Sequence, residues 1–266
     1  MNIRTAMLAA AVAVAAPVLG ARAQGAQSSA ELVAMGDRDS RAMNSAAALK
    51  HYEAAFAADP RNYDALWRAS REAVTVGETE TDAKKRTAMY RSGELYARRA
   101  VEANPKDAEG HFHLARALGR TALTLGSGER VKYAVSVRDH AMEALKLNPR
   151  HAGALHIMGV WNAEVMRLSG IKRFAAEKLL GGKVFASASW AEAARNLEQA
   201  IAVEPSRLTH RLDLAEIYGD QANKSNRNVA RARQLYESVV RGKATESADA
   251  VYQRRAAEGL RRLGAS

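Results

Sequence analysis

Small and apolar residues recur along this chain in one phrase, written four times. Ala48, Tyr52 and Ala55 stand at i, i+4 and i+7, and Pro60 follows five residues later. The same offsets join Gly93, Ala97 and Ala100 to Pro105, and Val137, Ala141 and Ala144 to Pro149. They also join Ala193, Leu197 and Ala200 to Pro205. Steps of four and three place such residues on one face of an α-helix, and the proline stops the helix because it has no N–H to donate. Beyond the prolines, Asn62, Asp107 and Ser206 stand as candidate N-caps for a following helix. Ser28 with Glu31, and Ser189 with Glu192, are spaced as capping boxes. Gly77, Gly126-Ser127-Gly128 and Gly181-Gly182 mark expected turns between paired helices.

Helix pairs closed in this way resemble tetratricopeptide repeats (TPRs). Leu32, Met35 and Gly36 fill that family's large-apolar, Leu and Gly positions in the first pair, as Leu155, Met158 and Gly159 do in the fourth. A degenerate fifth pair runs from Leu208 to Tyr218 and then through Ala232, Tyr236 and Val239. The expected fold is therefore all-α: one TPR α-solenoid over residues 24–266, with repeats ending near 60, 105, 149, 205 and 241. Residues 248–263 form a C-terminal cap helix whose arginines give the polar end a solenoid needs. The proline-to-proline steps are 45, 44 and 56 residues, against the family's usual ~34. Excesses of about three and six helical turns lengthen helices without rotating their apolar face. The longest step holds an amphipathic segment, Ile171 to Leu180, with Ile171, Phe174, Ala175 and Leu179 on one face. It reads as a helix inserted in the fourth repeat, for about 11 to 13 helices in all.

The N-terminus has a different character. Arg4 precedes an uncharged apolar run from Ala6 to Leu19, and Ala21-Arg22-Ala23 supplies small residues at the −3 and −1 positions of a signal-peptidase site. The run is too short to span a bilayer, so residues 1–23 read as a cleaved export signal. A retained membrane anchor is the alternative. No cysteine follows to carry a lipid, and no later stretch is long and apolar enough to span. The expected mature chain starts at Gln24 in the periplasm or outside the cell.

Composition narrows the chemistry. The chain has 266 residues, 47% apolar and 26% charged, which suits a folded protein and excludes wholesale disorder. It has no cysteine, so disulfides, thiolate metal sites and thiol nucleophiles are impossible. Signal cleavage would remove Arg4 and Arg22 and lower the net charge from +11 to +9. That balance favours anionic partners, although an exported protein meets little nucleic acid. No nucleophile elbow, zinc helix or phosphate loop is present. His111 and His113 diverge by about 200° on a helix, and His151 and His156 align poorly, so neither pair offers a metal site. The expectation is a protein with no cofactor and no catalytic residues.

A more specific likeness lies between Arg116 and about Tyr218. Arg130-Val131-Lys132-Tyr133-Ala134, Met158-Gly159-Val160-Trp161, Leu168-Ser169-Gly170-Ile171-Lys172-Arg173 and Ser189-Trp190-Ala191-Glu192-Ala193 follow in order. This series, with its long fourth repeat, resembles the regulator of microtubule dynamics family and its bacterial relatives. Animal members are linked to microtubules and organelle contacts, with lipid handling implied for some. The export signal replaces an organelle anchor here, so microtubule binding is not carried over.

The solenoid resemblance also implies that first helices line a concave groove. It would take Asp64, Trp67, Arg68 and Arg71 from repeat two, and Phe112, His113, Arg116 and Arg120 from repeat three. His156, Ile157, Val160 and Glu164 would follow, then Leu212, Asp213, Glu216 and Asp220. Arg68, Arg71, His113, Arg116 and Arg120 form the candidate anion site. Trp67, Phe112, Ile157, Val160, Ile171 and Phe174 form the candidate apolar wall. Two accounts of the arginines stay open: they grip a ligand's carboxylate or phosphate, or they pair with Asp64, Glu109 or acidic residues of the neighbouring repeat. The candidate partners are a peptide segment of another protein or an anionic phospholipid. Self-assembly through the cap helix is a third reading.

Overall fold

The computed structural model describes residues 27–168, 183–221, 223–224 and 227–264. Residues 1–23, the expected export signal, and the expected inserted helix with Ile171 and Phe174 lie outside the described residues. Twelve helices appear among those described: α1 (Ser29–Arg41), α2 (Ser45–Ala58), α3 (Tyr63–Thr79), α4 (Ala83–Ala103), α5 (Ala108–Ala122) and α6 (Ser127–Leu147). There follow α7 (Ala152–Arg167), α8 (Lys183–Ala186), α9 (Trp190–Val203), α10 (Leu208–Gly219), α11 (Val229–Val240) and α12 (Asp249–Gly264). α1/α2, α3/α4, α5/α6, α7/α9 and α10/α11 pair as antiparallel hairpins. Each first helix also touches the first helix of the next repeat, which is the packing of an α-solenoid.

All twelve residues of the repeated phrase are buried, most of them completely. Their small side chains let the helices of a pair nearly touch. A Cβ on Gly36 would stand 2.5 Å from the Tyr52 ring, and one on Gly159 would stand 2.6 Å from Leu197. Asn62 and Asp107 cap α3 and α5 by accepting from Ala65 N–H and Glu109 N–H, and Ser28 with Glu31 forms the complete capping box.

Three local expectations are corrected. Gly77 lies inside α3, not in a turn; it is small because Tyr90 of α4 packs on it, 2.5 Å from where a Cβ would stand. The N-cap of α10 is Arg207, one residue after Ser206, and its side chain caps nothing because it turns to Glu204 and Glu246. Ser189 accepts from Glu192 N–H at 3.1 Å, but the Glu192 carboxylate pairs with Arg195 instead of closing the box.

The two ends of the solenoid meet. Ser247, just before α12, lies 2.7 Å by its hydroxyl from that of Ser45 at the start of α2. α12 packs on α10 and α11, and from there its Tyr252 crosses the interior to α3. The superhelix therefore curls back on itself, with its own C-terminal segment lying across the concave side. No helix among the described residues is long and apolar enough to cross a membrane.

Candidate functional site

The interior of the curl holds a half-enclosed cavity of about 440 Å³. Its apolar wall comes from α5, α6, α7 and α8: Phe112, Val131, Ile157, Val160, Trp161 and Phe185. Trp161 donates its indole N–H to Ala134 C=O at 2.8 Å, which fixes the ring so that Phe185 stacks on it at 5.8 Å. Leu123 and Leu168 extend the wall toward the surface. The opposite side is charged, with Arg116, Arg120, His156, Asp213, Glu216 and Arg255. Phe112 also borders a shallower cleft of about 330 Å³ that runs past His113 to Trp67. Gly153 holds that ring in place, since a Cβ there would sit 2.4 Å from it.

The structure brings Phe112, Arg116, Arg120, His156, Ile157, Val160, Glu164, Asp213 and Glu216 to one cavity, as the repeat register implied. Trp67, Arg71 and His113 stand at the outer cleft, where Trp67 stacks on His113 with ring centres 5.2 Å apart. Leu212 departs from the register: it is fully buried in the core between α10 and its neighbours. Asp220 sits apart from the cavity, with its carboxylate 2.7 Å from Arg167.

The arginines meet carboxylates of the chain itself. Arg68 lies over the Trp67 ring at 4.3 Å and pairs with Asp64 and with Asp37 of the preceding repeat. Arg71 bonds Glu72 at 2.8 Å and the Ser40 hydroxyl at 2.9 Å. Arg116 and Arg120 both donate to Glu78, at 3.0 and 2.7 Å, and Tyr252 donates its hydroxyl to the same carboxylate at 2.7 Å. Burial alone would push the Glu78 carboxyl up. Arg120 and Arg116 outweigh it and hold the group at about 2. The same carboxylate raises Arg120 further above its ordinary value.

At the far side, Arg255 pairs with Glu216 at 2.7 Å and stands 3.7 Å from Asp213, whose other oxygen is 3.1 Å from His156. Burial, reinforced by Asp213, pushes the Glu216 carboxyl up. No group of three or more His, Asp or Glu side chains among the described residues is arranged to hold a metal ion.

Glu78, Phe185, His210, Tyr252 and Arg255 escaped the sequence reading. Glu78 follows Arg71, the last groove position named in its repeat, by about two turns, and Tyr252 reaches it from 174 residues away. Only the charge of Glu78 could have drawn attention to it.

Fold and cavity together define a TPR solenoid closed around an apolar interior site. The chain belongs to the regulator of microtubule dynamics protein 1-3 family, whose model matches residues 29–264. It is 31% identical over 117 residues to regulator of microtubule dynamics protein 1 of Bos taurus, covering 43% of this chain and 36% of that protein. The Mus musculus counterpart is 27% identical over 144 residues, covering 53% of this chain and 46% of the relative. The chain thus spans under half the length of these relatives. Among solved structures, a thermophilic TPR protein of Thermus thermophilus is similar, with a TM-score of 0.61 at 20% identity. That match covers 88% of this chain and 99% of the other, and it shows the fold.

Proposed function

We propose that this chain is an exported, non-catalytic binding scaffold that captures a segment of a partner protein by seating a bulky apolar side chain in the interior cavity. The observation that carries the reading is the cavity itself: an aromatic and aliphatic wall facing a rim of mixed charge. Arg116, Arg120 and Arg255 of that rim are matched by Glu78, Asp213 and Glu216, so these six groups carry no surplus charge of either sign. A balanced rim suits the alternating donors and acceptors of a peptide backbone. An anionic group would have to compete with Glu78 for Arg116 and Arg120.

One observation favours a second reading. The cavity lining takes in Leu168 and the exposed Leu123 as well as Phe185, so apolar surface reaches the outside of the molecule. Such a path also suits the acyl chain of an anionic phospholipid.

Native mass spectrometry of protein purified from the organism that makes it separates the two. A co-purifying peptide or protein supports the first reading, and a phospholipid mass replaces it with the second. Val160→Trp should fill the cavity and release either one. A bound species that survives that change would refute the cavity as the site. N-terminal sequencing of the exported form tests the location, with Gln24 as the expected first residue; an intact chain held in membranes would refute cleavage.

A further inference from the structure

Five of the chain's seven histidines are buried, and two of them meet at the joint between the fourth and fifth repeats. His156 on α7 and His210 on α10 face each other Nδ1 to Nδ1 at 2.8 Å. A carboxylate stands beyond each ring: Asp213 Oδ2 lies 3.1 Å from His156 Nε2, and Glu204 Oε2 lies 3.5 Å from His210 Nε2. We infer that Glu204, His210, His156 and Asp213 form a proton-binding chain that spans the joint between repeats four and five at the cavity wall and takes up a single proton.

An Nδ1-to-Nδ1 bond needs one N–H and one lone pair. Two neutral rings carry only two N–H groups between them, while the chain has three contacts to fill. The Asp213 contact is the shorter, and that carboxylate is the more buried, with 16% exposure against 40% for Glu204. One hydrogen therefore sits on His156 Nε2, facing Asp213. His156 Nδ1 is then the lone pair, and His210 must donate from its own Nδ1. That leaves His210 Nε2 as a bare lone pair turned toward a carboxylate, and this buried atom has no hydrogen-bond partner. Adding one proton there completes the row. His210 becomes an imidazolium donating at both ends, and the net charge of the four groups goes from −2 to −1. A second proton would set two N–H groups against each other across 2.8 Å, so the chain stops at one.

The surroundings decide where that proton binds. Burial lowers the affinity of His210, bringing it to about 4; Glu204 raises it, while His156 and Arg207 lower it further. Glu204 is itself held down by His210 and then by Arg207 and His151. From α5, Arg120 acts on Asp213, and from α12 so does Arg255. Glu216 adds negative charge next to Asp213, and Glu246 pairs with Arg207. α11 presents Ala232, Leu235, Tyr236 and Val239 to α10, and its Arg231 acts on the Tyr218 phenol of that helix. The uptake step accordingly lies below the ordinary histidine value.

Ring-nitrogen NMR of the intact mature protein tests this without any ligand. At pH 7.5 the expected tautomers are Nε2–H for His156 and Nδ1–H for His210. Acidification should add one proton to the pair in one step, with His210 as the ring that changes. His156→Gln should uncouple the step and shift it. Two independent one-proton steps near the ordinary value, or an Nδ1–H tautomer at His156, would overturn the inference. Both observations come from the unmodified chain, so a variant that fails to fold does not blunt the test. The effect of the proton on a captured ligand rests on the cavity reading above; the titration does not.

Discussion

Glu78→Gln is the sharpest perturbation the structure offers. The Glu78 side chain is 5% exposed and receives Arg116, Arg120 and Tyr252 together. Its carboxyl is held at about 2, against 4.5 for the free group, by Arg120 and Arg116 acting over the cost of burial. Through linkage that difference corresponds to roughly 3 kcal/mol of folding stability at neutral pH. A separate estimate agrees, since removing one member of a buried ion pair costs about 3–5 kcal/mol because its partner stays charged and unmatched. For a chain of this size each kcal/mol moves Tm by about 2–4 °C, so the neutral amide should lower Tm by roughly 6–12 °C.

The sign with pH is fixed as well. The native carboxyl titrates below the unfolded one, so its contribution is complete above pH ~4.5 and disappears as pH falls toward ~2. The assay is circular dichroism at 222 nm during heating, from pH 7 down to 2.5. Wild type should lose stability across that acid range more steeply than Glu78→Gln. A drop in Tm of less than about 2 °C at pH 7, or parallel acid slopes, would refute the account of Glu78 as the counter-charge of the arginine pair.

Tyr252→Phe removes one hydrogen bond to that carboxylate and should cost about 1–3 kcal/mol, read as a lower urea midpoint with unchanged helicity. Gly153→Ala drives a Cβ into the Phe112 ring, which should displace it between cleft and cavity and lower Tm by several degrees; an unchanged Tm would refute that contact. Burial holds both His113 and His210 at about 4, against 6.5 when unfolded. The unfolded chain thus binds protons more readily, and stability should fall as pH drops from ~6.5 to ~4, by roughly 3 kcal/mol per histidine. Chemical unfolding at pH 7, 5.5 and 4.5 reads this, and a flat profile would contradict buried neutral rings.

The fold was legible because TPR hairpins record their closest contacts in short stretches of chain. Ala141 and Ala144 lie within a single helix, and the proline five residues on marks its end. Caps such as Asn62 and Asp107 are equally local. The cavity wall was legible at Phe112, Ile157 and Val160, because counting from the prolines carries each first helix into the same register. In the degenerate fifth repeat the register held for Asp213 and Glu216 and failed at Leu212, which stands beside Asp213 on α10 and turns into the core. What could not be read was the closure of the superhelix, which depends on small rotations summed over five repeats. Tyr252 therefore looks like any aromatic residue on an amphipathic helix until the curl carries it to Glu78. The histidine pair was hidden for the same reason, since His156 and His210 meet across a joint 54 residues apart.

The placement of the charges explains how a mostly alanine-lined solenoid holds one curvature. Arg68 of the second repeat reaches Asp37 of the first, and Arg116 and Arg120 of the third reach Glu78 of the second. Arg167 of the fourth meets Asp220 at the end of the fifth, and Arg255 of the cap meets Glu216 and Asp213. Between the third and fourth repeats Trp161 donates to Ala134 C=O, and His151 Nε2 stands 3.3 Å from the Glu109 carboxylate beside the Phe112–Gly153 packing. Alanine faces bring helices close but specify their rotation weakly, because a methyl group fits many registers. Oppositely charged side chains on successive first helices select one rotation, since any other leaves a buried charge unmatched. The interior charges are in this sense joints of the superhelix. Any ligand whose own charge entered there would compete with those joints, whereas one that presents an apolar group to Trp161 and Phe185 would leave them intact.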